Sequence, residues 1–246
     1  MVRAYLQASG ILAAFFYGLG TPQADVINGG FESGDLTGWQ SVGHVTVEME
    51  GSIAIAPPEG DFEALVWNRN RAGAITPIDK VENALGLPKG TLECLSTTQV
   101  VGGSAMQQTF MASAGETLSF HWAFSTYRDA DDPVFHHAFA FVVVKPLVPK
   151  GHGFLVAKLA DTTSPAPESA GGFFTNVTPF SVFSHRIPRT DSYTVSLGIV
   201  DAGDDNVDAG LVVDDVTVSA SPATKALRRP AFQADTDVCR RVVSQF

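Results

Sequence analysis

His44-Val45-Thr46-Val47-Glu48-Met49-Glu50 alternates Val45, Val47 and Met49 with Thr46, Glu48 and Glu50, the period of a strand with one face buried. Runs of the same kind recur on both sides. Strands are expected at residues 26–32, 52–56, 62–67, 104–110, 116–124, 138–144, 154–159, 180–186, 193–200 and 210–219. Gly, Pro, Asn and Asp punctuate the gaps between them. A helical pattern occurs at residues 78–87, opened by Asp79 and closed by Gly86 with Pro88 beyond. The chain has 246 residues, 45% of them apolar and 17% charged, with 23 Gly and 14 Pro, a composition suited to short strands and tight turns. The expected fold is all-β, a two-sheet antiparallel β-sandwich rather than an α/β arrangement.

The formal charge is −10, from 26 acidic and 16 basic residues. Such a field repels phosphate backbones, so nucleic acid is not an expected partner. Acidic clusters can serve divalent cations, although an acidic surface also simply keeps a protein soluble. At the N-terminus, Arg3 precedes an apolar run from Ala4 to Leu19, and Thr21-Pro22-Gln23-Ala24 ends in a small residue before Asp25. This reads as a signal peptide over residues 1–24, with a membrane anchor as the competing reading. The jelly-roll domain is then expected over residues 25–220, with a C-terminal extension over 221–246 and no membrane span in the mature chain. Residues 161–172 read as a polar loop inside the domain, because the segments after it complete the strand set. Export places the protein outside the cell or on its surface, where Cys94 and Cys239 could form a disulfide; two independent thiols are the alternative.

Asn28-Gly29-Gly30-Phe31-Glu32-Ser33-Gly34-Asp35-Leu36-Thr37-Gly38-Trp39 resembles the opening of calcium-containing, galactose-binding-like jelly-roll carbohydrate-binding modules, and Leu211-Val212-Val213-Asp214-Asp215-Val216-Thr217-Val218 resembles their last strand. The resemblance implies that Glu32 and Asp214 hold one structural Ca2+ together with backbone carbonyls. The chemistry agrees. Calcium takes six to eight oxygens, and Gly30 and the turn Glu59-Gly60-Asp61 can add some. By strict period two, Asp214 shares a face with Val212 and Val216 while Asp215 faces the other way, so one of the two aspartates points inward. Residues 59–65, 103–110, 114–120 and 200–204 are similar to blocks of exported bacterial proteins that often carry a PEP-CTERM sorting tail, but residues 222–246 lack the Pro-Glu-Pro motif and apolar helix of that tail.

Asp201, Asp204 and Asp208 lie among small residues and offer a second metal site, or else a solvated hairpin loop. His136 and His137 are adjacent, so in a strand they face opposite ways. No HExxH, GxSxG or P-loop pattern is present, and a carboxylate pair such as Glu59 and Glu63 establishes no glycosidase geometry. The chain is therefore expected to be no enzyme. Trp39 and Trp122 suit the core, whereas Trp67 and Tyr127 stand beside polar loops as candidate sugar-stacking platforms. The expected role is a secreted or cell-surface module that binds a carbohydrate, matrix component or other extracellular glycan. A structural surface protein that self-associates or binds another surface protein is the alternative, and a polysaccharide hydrolase a third.

Overall fold

The computed structural model describes residues 26–53, 55–126, 137–147, 154–164, 168–169, 174, 176–203 and 208–220. Within them lie β1 (Gln40–Val42), β2 (His44–Met49), β3 (Phe62–Trp67), β4 (Thr76–Pro77), helix α1 (Ile78–Ala84), β5 (Val100–Ala112), β6 (Thr117–Thr126), β7 (His137–Pro146) and β8 (Leu155–Asp161). Next come β9 (Glu168–Ser169), β10 (Asn176–Val177), β11 (Ser181–Arg186), β12 (Asp191–Ala202) and β13 (Ala209–Ser219). The first sheet runs β1-β5-β12-β7-β8, with β4 also on β5; the second runs β2-β3-β13-β6-β10-β9, with β11 also on β6. Every ladder is antiparallel. From β5 onward the chain passes between the sheets repeatedly, β5 to β6, β6 to β7, β8 to β9, β11 to β12 and β12 to β13. This is a two-sheet jelly-roll sandwich.

The main core fills the space between the sheets. Phe31, Ala64, Val66, Phe120, Phe124, Tyr193, Val195, Leu197, Leu211 and Val213 meet there. Both outer faces are covered as well. Val81 and Leu85, with Leu92, pack on Phe139, Phe141 and Val143 outside the first sheet. Ile53 and Phe174 pack on Leu65, Ala123 and Val212 outside the second. Central strands therefore bury both faces, and β12 is buried continuously from Tyr193 to Ala202.

Two expected strands are absent. Residues 26–32 form tight turns instead: Phe31 N–H donates to Asn28 O (3.3 Å) and Gly34 N–H to Phe31 O (2.9 Å), with Asn28 and Phe31 at φ +52° and +58°. That geometry drops the Phe31 ring into the core beside Trp39, 5.6 Å between ring centres. Residues 52–56 leave β2 through a turn at Gly51 (φ +87°) and send Ile53 onto the outer face of the second sheet. The helix is shorter than expected, ending at Ala84 with Leu85 as its C-cap. The polar loop at 161–172 contains the short β9. Residues 1–24 and 221–246, Tyr127, His136, Asp204 and Cys239 lie outside the described residues. Cys94 is disulfide-bonded. No helix among the described residues is long and apolar enough to cross a membrane.

Candidate metal site and ligand pocket

Strict alternation fails in β13, and the failure shapes the first site. The ladder with β6 shifts between Asp214 and Thr217, and Asp215 adopts φ +49°. This bulge puts Val213 and Val216 both into the main core. Val216 thus leaves the face of Asp214, contrary to the period-two expectation. Asp214 stays with Val212 on the outer face of the second sheet, yet it is 0% exposed. The non-glycine residues with positive φ among those described are Asn28, Phe31 and Asp215, and all three stand where the opening turns meet β13. Backbone strain concentrated at one place is a mark of a built site.

Glu32 and Asp214 converge on the same loop from two sides. Asp214 Oδ2 accepts Glu59 N–H (2.9 Å), and its Oδ1 accepts Asp215 N–H (2.7 Å). Glu32 Oε1 and Oε2 both accept Asp61 N–H (3.1 Å each), and Oε1 also accepts Phe62 N–H (3.0 Å). A side chain at Gly60, which has φ +63°, would strike the Glu32 carboxylate at 2.1 Å. A side chain at Gly30 would come within 2.0 Å of Glu59 Oε2 and 3.8 Å of Asp214 Oδ1. Glycine at position 30 thus keeps open a small space flanked by two carboxylates. The structure brings Glu32, Gly30, Glu59, Asp61 and Asp214 into one corner.

The electrostatics of this corner call for positive charge. Burial, followed by the nearby Glu59 and Asp215 charges, pushes the Asp214 carboxyl up to about 6 despite two backbone N–H donors. Glu63, the cross-strand neighbour on β3, is 0% exposed, and neither of its carboxylate oxygens has a hydrogen-bond partner. Burial first, then the charges of Asp214 and Glu48, push its carboxyl up to about 8. Sequence reasoning noticed Glu63 only as half of a hydrolase pair; full burial removes it from any substrate. The donor set is all oxygen, which fits a hard cation such as calcium. No three His, Cys, Asp or Glu side chains among the described residues form a ready-made cage. A cation here would take most of its oxygens from backbone carbonyls.

The second site lies at the far end of β3. Arg69 pairs with Ile75 across a tight hairpin whose Asn70 Oδ1 accepts Ala72 N–H (2.9 Å) and Ala74 N–H (3.0 Å). Arg69 Nε stands 2.9 Å from Asp208 Oδ1, and its Nη2 3.7 Å from Asp201 Oδ2. Asn68 Nδ2 donates to the buried Asp201 Oδ1 (2.7 Å), while Asn68 Oδ1 accepts Ala209 N–H (3.0 Å). Asp201 and Asp208 thus do come together, but around a guanidinium, in the place a second metal was expected to fill. Trp67 is half-buried, 5.2 Å edge-on from Phe174 and 5.7 Å from His44 between ring centres. Trp67, Arg69, Asn70, Arg71, Gly73 and Asp208 line an open pocket of about 410 Å³. Arg69 and Arg71 were missed in the sequence, although a tight basic pair beside a tryptophan in an acidic chain was a usable signal.

No protein-family model matches the chain, and no curated protein does. Solved structures do resemble it. TmCBM61, solved in complex with β-1,4-galactotriose, is 12% identical at TM-score 0.43, covering 79% of this chain and 96% of that one. The K1 cleaved adhesin domain of Lys-gingipain from Porphyromonas gingivalis W83 is 11% identical at TM-score 0.42, covering 82% and 100%. A xylan-binding domain of carbohydrate-binding module family 22 is 12% identical at TM-score 0.35, covering 85% and 99%. The two candidate sites stand on their own geometry.

Proposed function

We propose that this chain is an exported, non-catalytic carbohydrate-binding module that works outside the cell or on its surface, takes a glycan at the Trp67 pocket, and is stabilised by calcium at the Asp214 corner. The pocket carries the reading: one aromatic face stands beside fixed, planar polar groups. A sugar ring presents C–H groups to a flat apolar surface and hydroxyls to its rim. Trp67 offers the surface. Arg69, pinned by two aspartates, together with Asp208 and the Asn70 amide, offers donors and acceptors that need little ordering on binding. Arg71, exposed at the hairpin tip, is free to close over a bound hydroxyl or acidic group.

Calcium would be held by Glu32 and Asp214, with oxygens from Gly30, Glu59 and Asp61, and it would tie the opening turns to the last strand. Its contribution is positive charge at a corner where the chain places carboxylates.

A glycan array followed by titration calorimetry tests the binding, with β-1,4-galactotriose and xylan among the first probes. We expect Trp67→Ala to abolish binding. Because Trp67 also packs on Phe174, the exposed Arg71→Ala is the cleaner variant; it should weaken binding at least tenfold with an unchanged melting temperature. If no glycan binds, or if both variants bind like the wild type, the reading fails.

A further inference from the structure

The outer face of the second sheet carries a row of carboxylates. Glu48 on β2 pairs directly across from Glu63 on β3. The β3–β13 ladder pairs Ala64 with Val213, so the next position sets Glu63 beside Asp214, where the bulge interrupts the bonds. Three acidic side chains on three adjacent strands thus share one face. Glu48 is half-buried and takes a hydrogen bond from Thr46 Oγ1 (2.7 Å). Asp214 has its two backbone donors. Glu63 has none, and it is sealed from water.

A sealed, unpartnered carboxylate is among the most costly groups a fold can contain. Protonation would neutralise the group but leave a buried polar side chain with no hydrogen-bond partner. The charged groups acting on Glu63 are Asp214 and Glu48, both of its own sign. The basic group in register on this face, His121 across from Asp214, turns its Nδ1 to Asp215 Oδ2 (3.3 Å), so a positive charge for Glu63 would have to come from elsewhere.

We propose that Glu63 is a ligand of the same cation as Asp214, forming the inner, buried wall of the calcium site while residues 30–32 and 59–61 form its outer wall. This rests on the calcium part of the proposed function. The ion is calcium because all the donors are hard oxygens, the surroundings are adaptable loops and long Glu side chains, and calcium accepts irregular sets of six to eight such ligands. Glu63, Asp214 and Glu32 supply three charges, and further oxygens of the two loops supply the remainder.

The test is calorimetric titration of the metal-free full chain with calcium chloride, paired with thermal unfolding in EDTA and in calcium. Glu63→Gln keeps the shape and removes the charge. We expect calcium affinity to fall at least tenfold and, in EDTA at pH 9, where the wild-type carboxyl is charged, the variant to melt at or above the wild-type temperature, because a repulsive buried charge is gone. Should Glu63→Gln fail to fold, Glu63→Asp decides: it keeps the charge but retracts it by one methylene, so it should bind calcium more weakly. Wild-type calcium affinity in either variant overturns the role of Glu63 and leaves the calcium reading standing. Absence of calcium binding in the wild type overturns both.

Discussion

The two ends of β3 meet the same difficulty in opposite ways. At one end Asp201 is buried, and the chain brings its own cation: the Arg69 guanidinium faces it, and the Asn68 amide donates to it. At the other end Asp214 and Glu63 are buried, and the neighbouring charged groups are more carboxylates. An internal arginine makes a corner self-sufficient, whereas an acidic corner depends on what the solution supplies. A binding pocket gains from the first arrangement, because its walls are fixed before the ligand arrives. A corner of the second kind can be switched by metal or by pH.

The largest expected effect comes from making the first end resemble the second. Arg69→Leu strands the Asp201 charge in a buried setting, which typically costs about 3–5 kcal/mol. Urea unfolding should show that loss; a change below about 1 kcal/mol would mean the two ends do not differ as described.

Next in size is the response of the acidic end to pH. Glu63 and Asp214 hold their protons more tightly when folded, pushed up to about 8 and about 6 from 4.5 and 3.8. A folded state that binds extra protons is favoured at low pH. In metal-free protein, the contribution of these groups is fully present below their ordinary pKa values. It is lost as pH rises through 6 for Asp214 and 8 for Glu63, at up to about 1.4 kcal/mol per pH unit for each group. Denaturation series in EDTA for wild type and Glu63→Gln should diverge across this window, with the wild type losing stability more steeply. Parallel curves would show that Glu63 does not titrate there.

The mildest perturbation fills the space beside Asp214. In Gly30→Ala the new methyl displaces the flexible end of Glu59. The effect should be confined to calcium affinity, about tenfold or 1.4 kcal/mol, with the melting temperature in EDTA nearly unchanged. An equal loss in EDTA and in calcium would show that Gly30 serves backbone packing instead.

Strand 44–49 was legible from its alternation, and 62–67 from its apolar run, although both faces of the latter are buried. β12 was found but read too short: Asp201 and Ala202 lie in a stretch buried on both faces with no period to follow, and Asp191 and Ser192 are half-buried polar positions. Residues 52–56 misled for a related reason: Ile53 and Ile55 alternate like a strand but cover a sheet from outside. At the acidic corner, Glu32 and Asp214 could be named from the resemblance of their surroundings. The place of Glu63 could not, since Phe62-Glu63-Ala64 reads locally as a solvent-facing glutamate. Its burial depends on what covers the outer face of the sheet, and the local pattern does not record that. The bulge at Asp215 was hidden too, because a positive φ at Asp leaves no mark on hydrophobic alternation.

Val216 N–H donates to Gly29 O at 3.0 Å, so the first described turns and the last strand are joined at the same corner that gathers the carboxylates. Tension applied between residues 26 and 220 would therefore be carried by this corner together with the β13–β6 pairs at Thr217, Val218 and Ser219. A cation seated there would act as a latch between the first turns and the last strand.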